Sequence, residues 1–174
     1  MDFDIDHTFI TSDHHFGSSS LLGPFKVFTL EQEQKLVKKW NETVKHEDIV
    51  IYNGDFCDCI LADAMKYRTM LNGHIMLVKG NHDIFPDAVY KALFDDVFNE
   101  IILDKHNAVI HHKPIESLSC NQLYGHMHRG YVVGPLDKAH NFCTCVQAHD
   151  GFPVLLKDAL ASFTQQTSQA SCSP

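Results

Sequence analysis

Five short apolar segments of this chain end on the same kind of punctuation, a polar loop carrying aspartate, asparagine or histidine. "TFIT" runs into "SDHHFG", "DIVIYN" into "GDFCD", "HIMLVK" into "GNHD", "NAVI" into "HHKP", and "NQLY" into "GHMH". Short apolar runs bounded by such loops read as strands. Alternate side chains of a strand share a face, so Asp13 and His15 aim at one point if the first strand ends there. In an open α/β sheet, the loops beyond the carboxyl ends of the strands converge on one crevice. A fold that honours this pattern gathers oxygen and nitrogen donors from distant segments into one place.

The stretches between these segments support such a sheet. Residues 30–45 read as an amphipathic helix with Leu36, Val37, Trp40 and Val44 on one face. Thr29 and Gln32 have the spacing of a capping box at its start. A second helix fits "ILADAMKYRTML" (60–71), stopped by Asn72-Gly73, and a third begins at Pro86 and runs to about Asp95. The second half reads as short strands, "FNEIILD", "NAVIHHKP", "NQLYGHMH", "NFCTCVQ" and "FPVLL", without clear helices between them. The expectation is an α/β fold, βαβ units feeding a strand-rich half in a layered sandwich. Residues 1–160 read as one domain, and 161–174, ending in "TQQTSQASCSP", as a flexible tail.

Composition narrows the partners. The chain has 174 residues, 14 basic against 22 acidic, for a formal charge of −8, and shows no basic stripe. That disfavours long nucleic acid as a ligand. A phosphate-ester substrate would need its charge neutralised by something other than Lys and Arg, and a metal would do that. No apolar run approaches a membrane span and "MDFDIDH" does not read as a signal peptide, so no membrane partner and a soluble, cytoplasmic protein are expected. The CxC pairs 57/59 and 143/145 lack the CxxC-like spacing of structural zinc sites and read as reduced thiols.

Each donor alone has an ordinary explanation, since a lone histidine at a strand end is usually solvated and Gly-Asp or Gly-Asn marks a turn. The set is harder to dismiss: carboxylates, a carboxamide and several imidazoles, all on loops after apolar strands. Mixed nitrogen and oxygen donors suit borderline divalent ions such as Mn, Zn, Fe or Ni. One catalytic ion needs about three protein ligands. The surplus points to two ions, roughly 3.5 to 4 Å apart, clamping a phosphate.

The blocks "DHH" (13–15), "GDFCD" (54–58), "GNHD" (80–83), "HHKP" (111–114) and "GHMH" (125–128) stand in the order DxH, GDxxD, GNH[DE], H, GHxH. In this the chain resembles the calcineurin-like metallophosphoesterase superfamily, over residues 8 to about 156, and most closely its small single-domain bacterial and phage phosphoesterases. The resemblance implies a four-layer α/β/β/α sandwich with mixed sheets and two divalent metal ions. It implies Asp13, His15 and His128 as ligands of the first, Asp55 as the bridging carboxylate, and Asn81, His112 and His126 as ligands of the second. His112 is chosen over His111 because the family's histidine usually stands two positions before a proline. His82 resembles the catalytic imidazole, and Asp58 the carboxylate that orients it; His14, Phe16 and His111 have no assigned role.

The implied reaction is hydrolysis of a phosphate ester by attack of a metal-bridging hydroxide, with His82 assisting departure of the alcohol. The protein-phosphatase form of the second block, GDxVDRG, is absent here, where the chain reads "GDFCDCI", so that activity is not expected. Small phosphodiesters, of nucleotides or other small molecules, are the favoured substrates. A phosphomonoesterase of the same fold and a non-catalytic metal-binding scaffold for protein partners are the alternatives, and Asn81 and His82 speak against the scaffold.

Overall fold

The computed structural model describes residues 2–20, 27–116, 119–128 and 140–170, with side chains as far as residue 163. Strands and helices alternate first: β1 (Thr8–Thr11), α1 (Leu30–Thr43), β2 (Ile49–Tyr52), α2 (Leu61–Met70), β3 (His74–Val78), α3 (Asp87–Leu93) and β4 (Asp96–Phe98). Then come β5 (Ile101–Leu103), β6 (Ala108–His111), β7 (Asn121–Tyr124), β8 (Asn141–Cys143), β9 (Val154–Leu155) and α4 (Leu156–Ala170).

The strands form two mixed sheets. The first has the order β4-β3-β2-β1-β9, parallel except for β9, which runs antiparallel to β1. The second has the order β5-β6-β7-β8, with β6, β7 and β8 parallel and β5 reversed. Parallel pairing in register, Thr11 beside Tyr52 and Tyr52 beside Leu77, puts the polar loops after β1, β2 and β3 at one rim. His111 beside Tyr124 does the same for the loops after β6 and β7.

Local chemistry explains the helices. Thr29 caps α1 by accepting the Gln32 backbone N–H (3.3 Å), and the Gln32 side chain accepts the Thr29 N–H (2.8 Å). The two bonds satisfy donors that the first turn leaves unpaired. Leu36, Val37 and Trp40 then turn inward, and the Trp40 indole donates to the Asn72 carbonyl at 2.9 Å. On that face of the first sheet α1, α2 and α3 bury Trp40, Ala64, Tyr90 and Phe94 against Val50, Tyr52, Ile75 and Leu77. Each fully buried large apolar side chain contributes about 1.5–3 kcal/mol relative to exposure.

A second cluster joins the two sheets. Ile10, Ile51 and Val78 of the first meet Ile101, Leu103, Ile110 and Leu123 of the second, with Leu156, Ala159, Leu160 and Phe163 of α4. Helix α4 packs on β1 and β9 of one sheet and on β8 of the other, so it is shared by both. Among the described residues the architecture is an α/β sandwich of two mixed sheets with four α-helices.

Three segments depart from expectation. "FNEIILD" is not one strand: β4 and β5 lie in different sheets, and Asn99-Glu100 hands the chain across. Pro86 stands just before α3 as its N-cap rather than inside its first turn. The residues read as a tail from 161 are helical to Ala170, because Leu156, Ala159, Leu160 and Phe163 give α4 an apolar stripe at i, i+3, i+4 and i+7. Residues 171–174 lie outside the described residues. No described helix is long and apolar enough to cross a membrane.

Candidate metal centre

The loop after β1 continues the parallel pairing of its strand. The Asp13 N–H donates to Gly54 O (3.0 Å), His15 N–H to Asp55 O (3.2 Å) and Phe16 N–H to Phe56 O (2.9 Å). Such pairing fixes two donor-bearing loops against each other before any side chain is considered. The backbone there is unusual. Asp13, His15, Asp55, His126 and His128 have φ of 62°, 46°, 58°, 68° and 49°, in the left-handed region. Only Asn107 and Asp150 share it among the other described non-glycine residues. Asp and His tolerate this conformation better than most residues, yet each instance costs about 1–3 kcal/mol and clusters where side chains must be aimed.

Glycines leave the room. A Cβ on Gly80 would run into the Asp55 carboxylate, one on Gly54 (φ +88°) into the His112 ring, and one on Gly125 would lie 2.7 Å from Asp13 Oδ2. These glycines let backbone approach side chains that face the crevice.

Three groups of donors result. Asp13, His15 and His128 offer atoms within 4.8 Å of one another, as do Asp55, His112 and His126, and as do His15, Asp58 and His82. The first two groups are tied together. Asp55 Oδ2 lies 3.1 Å from His112 Nε2 and 3.6 Å from His15 Nε2. Both Asp13 carboxylate oxygens accept the His126 backbone N–H, at 3.0 and 3.1 Å. Asn81 is exposed and lines a cleft together with His82, whose backbone N–H donates to Asp55 Oδ1 at 2.8 Å.

Tautomers follow from the partners. His15 Nδ1 lies 2.8 Å from Asp58 Oδ2, and His112 Nδ1 lies 2.8 Å from the Asn53 carbonyl. Those oxygens can only accept, so both Nδ1 atoms carry hydrogen. The Nε2 atoms face inward, buried and without a hydrogen-bond partner, toward the Asp13 and Asp55 carboxylates. A lone pair facing a carboxylate is repulsive unless a cation or a proton stands between them. Burial opposes charge on His15, but the Asp58 hydrogen bond and the charges of Asp58, Asp55 and Asp13 raise its pKa. His112 is likewise raised, by Asp55, Asp13 and Asn53 against burial.

The carboxylates answer in kind. Burial would raise the Asp55 carboxyl, but His112 and the His82 N–H draw it down to about 2. His126 and His128 are instead held neutral: burial lowers both, and His112 and His15 respectively add to the effect. Buried carboxylates, neutral imidazoles and inward-facing orphan nitrogens form a donor set that fits divalent cations.

Several residues position the donors in ways that the sequence reading does not include. Asp58 does more than orient His82 (Nδ1 to Oδ1, 2.8 Å), because its other oxygen holds His15. Buried Asp83 accepts the N–H groups of Gly80 (2.7 Å), Asp55 (2.9 Å) and Phe56 (3.1 Å), locking two loops together. Asn53 donates to His111 O and Leu123 O, stitching the first sheet to the second. The Gln147 carboxamide nitrogen donates to Asp13 O (3.3 Å) and lies 3.1 Å from His128 Nδ1.

The remaining histidines turn elsewhere. His111 Nε2 meets Gln122 Oε1 at 2.7 Å. His14 is buried among Phe16, Trp40 and Tyr52, where burial pushes its pKa down to about 3. Among the described residues, Cys57, Cys59, Cys120 and Cys145 form no disulfide.

No family model matches the chain. An uncharacterized protein of Methanocaldococcus jannaschii is 28% identical over 137 residues, covering 71% of this chain and 70% of that one. Among solved structures, the Pseudomonas putida nuclease MPE aligns at TM-score 0.45 and 21% identity, over 71% of this chain and 61% of that one. A protein of unknown function from Aquifex aeolicus aligns at TM-score 0.68 and 18% identity, over 87% of this chain and 96% of that one. The chain therefore has the fold of the Aquifex aeolicus protein.

Proposed function

We propose that this protein is a metal-dependent phosphoric ester hydrolase of the metallophosphoesterase type, acting on small phosphodiesters from a single domain. The observation that carries the reading is the pair of donor groups joined through Asp55, with unpartnered Nε2 atoms of His15 and His112 aimed at carboxylates. Asp13, His15, Asp55 and His128 would hold one divalent ion, and Asp55, Asn81, His112 and His126 the other. Bound there, the ions supply the positive charge that a phosphate needs and lower the pKa of water.

The chain's own residues do the rest. His82, half exposed beside these groups, is the proton donor to the departing oxygen, and its Nδ1–H bond to Asp58 keeps Nε2 turned away from that carboxylate. Asp58 also holds His15, so one carboxylate fixes a metal ligand and the general acid relative to each other. With a formal charge of −8 the chain is poorly suited to long polyanions, which favours small esters.

The test is hydrolysis of bis-p-nitrophenyl phosphate with added Mn²⁺, wild type against His82→Ala. Turnover by the wild type and a loss of about 10²–10⁴-fold in kcat for the variant is expected. Equal rates, or none in either, would point to binding without catalysis. p-Nitrophenyl phosphate in the same assay separates diesterase from monoesterase.

A further inference from the structure

A cleft of about 450 Å³ opens beside His82, within the range of small-ligand pockets. Asn81, His82 and Asp58 form the side nearest the donor groups, and Ile60, Ile84 and Phe85 supply the apolar wall. Among the exposed large hydrophobic side chains described, Ile84 (83%) and Ile60 (68%) are the two most exposed, and both border this cleft. Isoleucines held in water next to a reactive imidazole mark a surface that something apolar covers.

Charge decides what that something is. No Lys or Arg is among the described residues lining the cleft, so no cationic side chain there receives a second phosphate. Its two carboxylates are already engaged. Asp58 is bound by His15 and His82, and Asp63 pairs with Lys66 at 2.7 Å. Neither is left to hold a cationic head group.

We infer that this cleft receives the departing alcohol of the substrate, and that the alcohol is uncharged and apolar, with Ile60 and Ile84 as specificity-determining residues. The inference rests on the phosphoesterase reading and extends it to a substrate class: phosphodiesters with an aryl or arylalkyl group on the leaving side. In the reaction, water oxygen forms the new bond to phosphorus. The bond from phosphorus to the alcohol oxygen breaks with its electron pair on that oxygen, which takes a proton from His82 Nε2. The proton released by the water restores His82.

Benzyl methyl phosphate and dimethyl phosphate make the test, because benzyl alcohol and methanol are of similar acidity and differ mainly in apolar surface. With Mn²⁺, kcat/KM for release of benzyl alcohol is expected to exceed that for release of methanol from dimethyl phosphate by at least about tenfold. Ile84→Lys should collapse that ratio, while Ile102→Lys, on β5 away from the cleft, should keep it. A second readout needs no turnover. In Zn²⁺-loaded His82→Ala protein with ¹³C-labelled isoleucine methyls, benzyl methyl phosphate should shift the Ile60 and Ile84 signals and dimethyl phosphate should not.

Equal rates for the two esters, a faster methyl phosphocholine, or shifts spread over other isoleucines would overturn the inference. Absence of hydrolysis for every ester and metal, with the shifts still confined to Ile60 and Ile84, would remove the phosphoesterase reading and leave the cleft standing.

Discussion

The two donor groups are built from the same residue types and braced differently. In Asp13–His15–His128, the ring of His15 is held from behind by a carboxylate, Asp58. In Asp55–His112–His126, the corresponding support for His112 is a neutral carbonyl, that of Asn53. A carboxylate behind an imidazole makes its inward nitrogen the better electron donor. The first group is also supported on its other flank, where the Gln147 carboxamide lies beside His128. The lesson is that chemically similar ligands can form unequal sites through what stands behind them.

Calorimetric titration with Mn²⁺ should therefore resolve a tighter and a weaker binding event. Asp58→Asn is the largest perturbation of that inequality. It should weaken the tighter event by about 10–100-fold, bringing the two affinities together. Unchanged tight binding would refute the assignment of strength to Asp58.

Gly54→Ala attacks the other group. The added Cβ meets the His112 ring and lies 2.7 Å from the Gly80 Cα, at a φ of +88°. A loss of stability of about 1–3 kcal/mol is expected in urea unfolding, with the weaker event lost first in the titration. Gln147→Ala is the mildest: removing one hydrogen-bonding neighbour of His128 should weaken the tighter event by about three- to tenfold and leave the weaker one alone.

Most of the rim was legible because its signals are local. The motif "DHH" announces Asp13 and His15 together, although they stand beyond the end of β1 in left-handed turns rather than on alternate strand positions, and the glycines of "GDFCD", "GNHD" and "GHMH" mark where backbone passes close to side chains. The braces were not legible in that way. Gln147 meets His128 from a short 3-10 turn, Val146–His149, that no periodic pattern announces. Asp83 reads as the last letter of a motif, and its part in tying Gly80 to Asp55 exists only once both loops are in place.

The split of "FNEIILD" escaped for a similar reason, since Asn99-Glu100 carries neither the Gly nor the Pro that marks most breaks. Helix α4 differs from these. Its stripe of Leu156, Ala159, Leu160 and Phe163 is plain in the sequence but was masked by the polar residues after it and by a two-residue strand, β9, immediately before it.

The left-handed turns at Asp13 and Asp55 bear on how the rim should be dissected. Asparagine matches aspartate in shape and in its ease with that conformation, so an isosteric swap removes the charge and one accepting oxygen without altering the turn. Alanine removes charge and also imposes a torsional penalty. Truncation scans across this rim would mistake warped loops for missing chemistry.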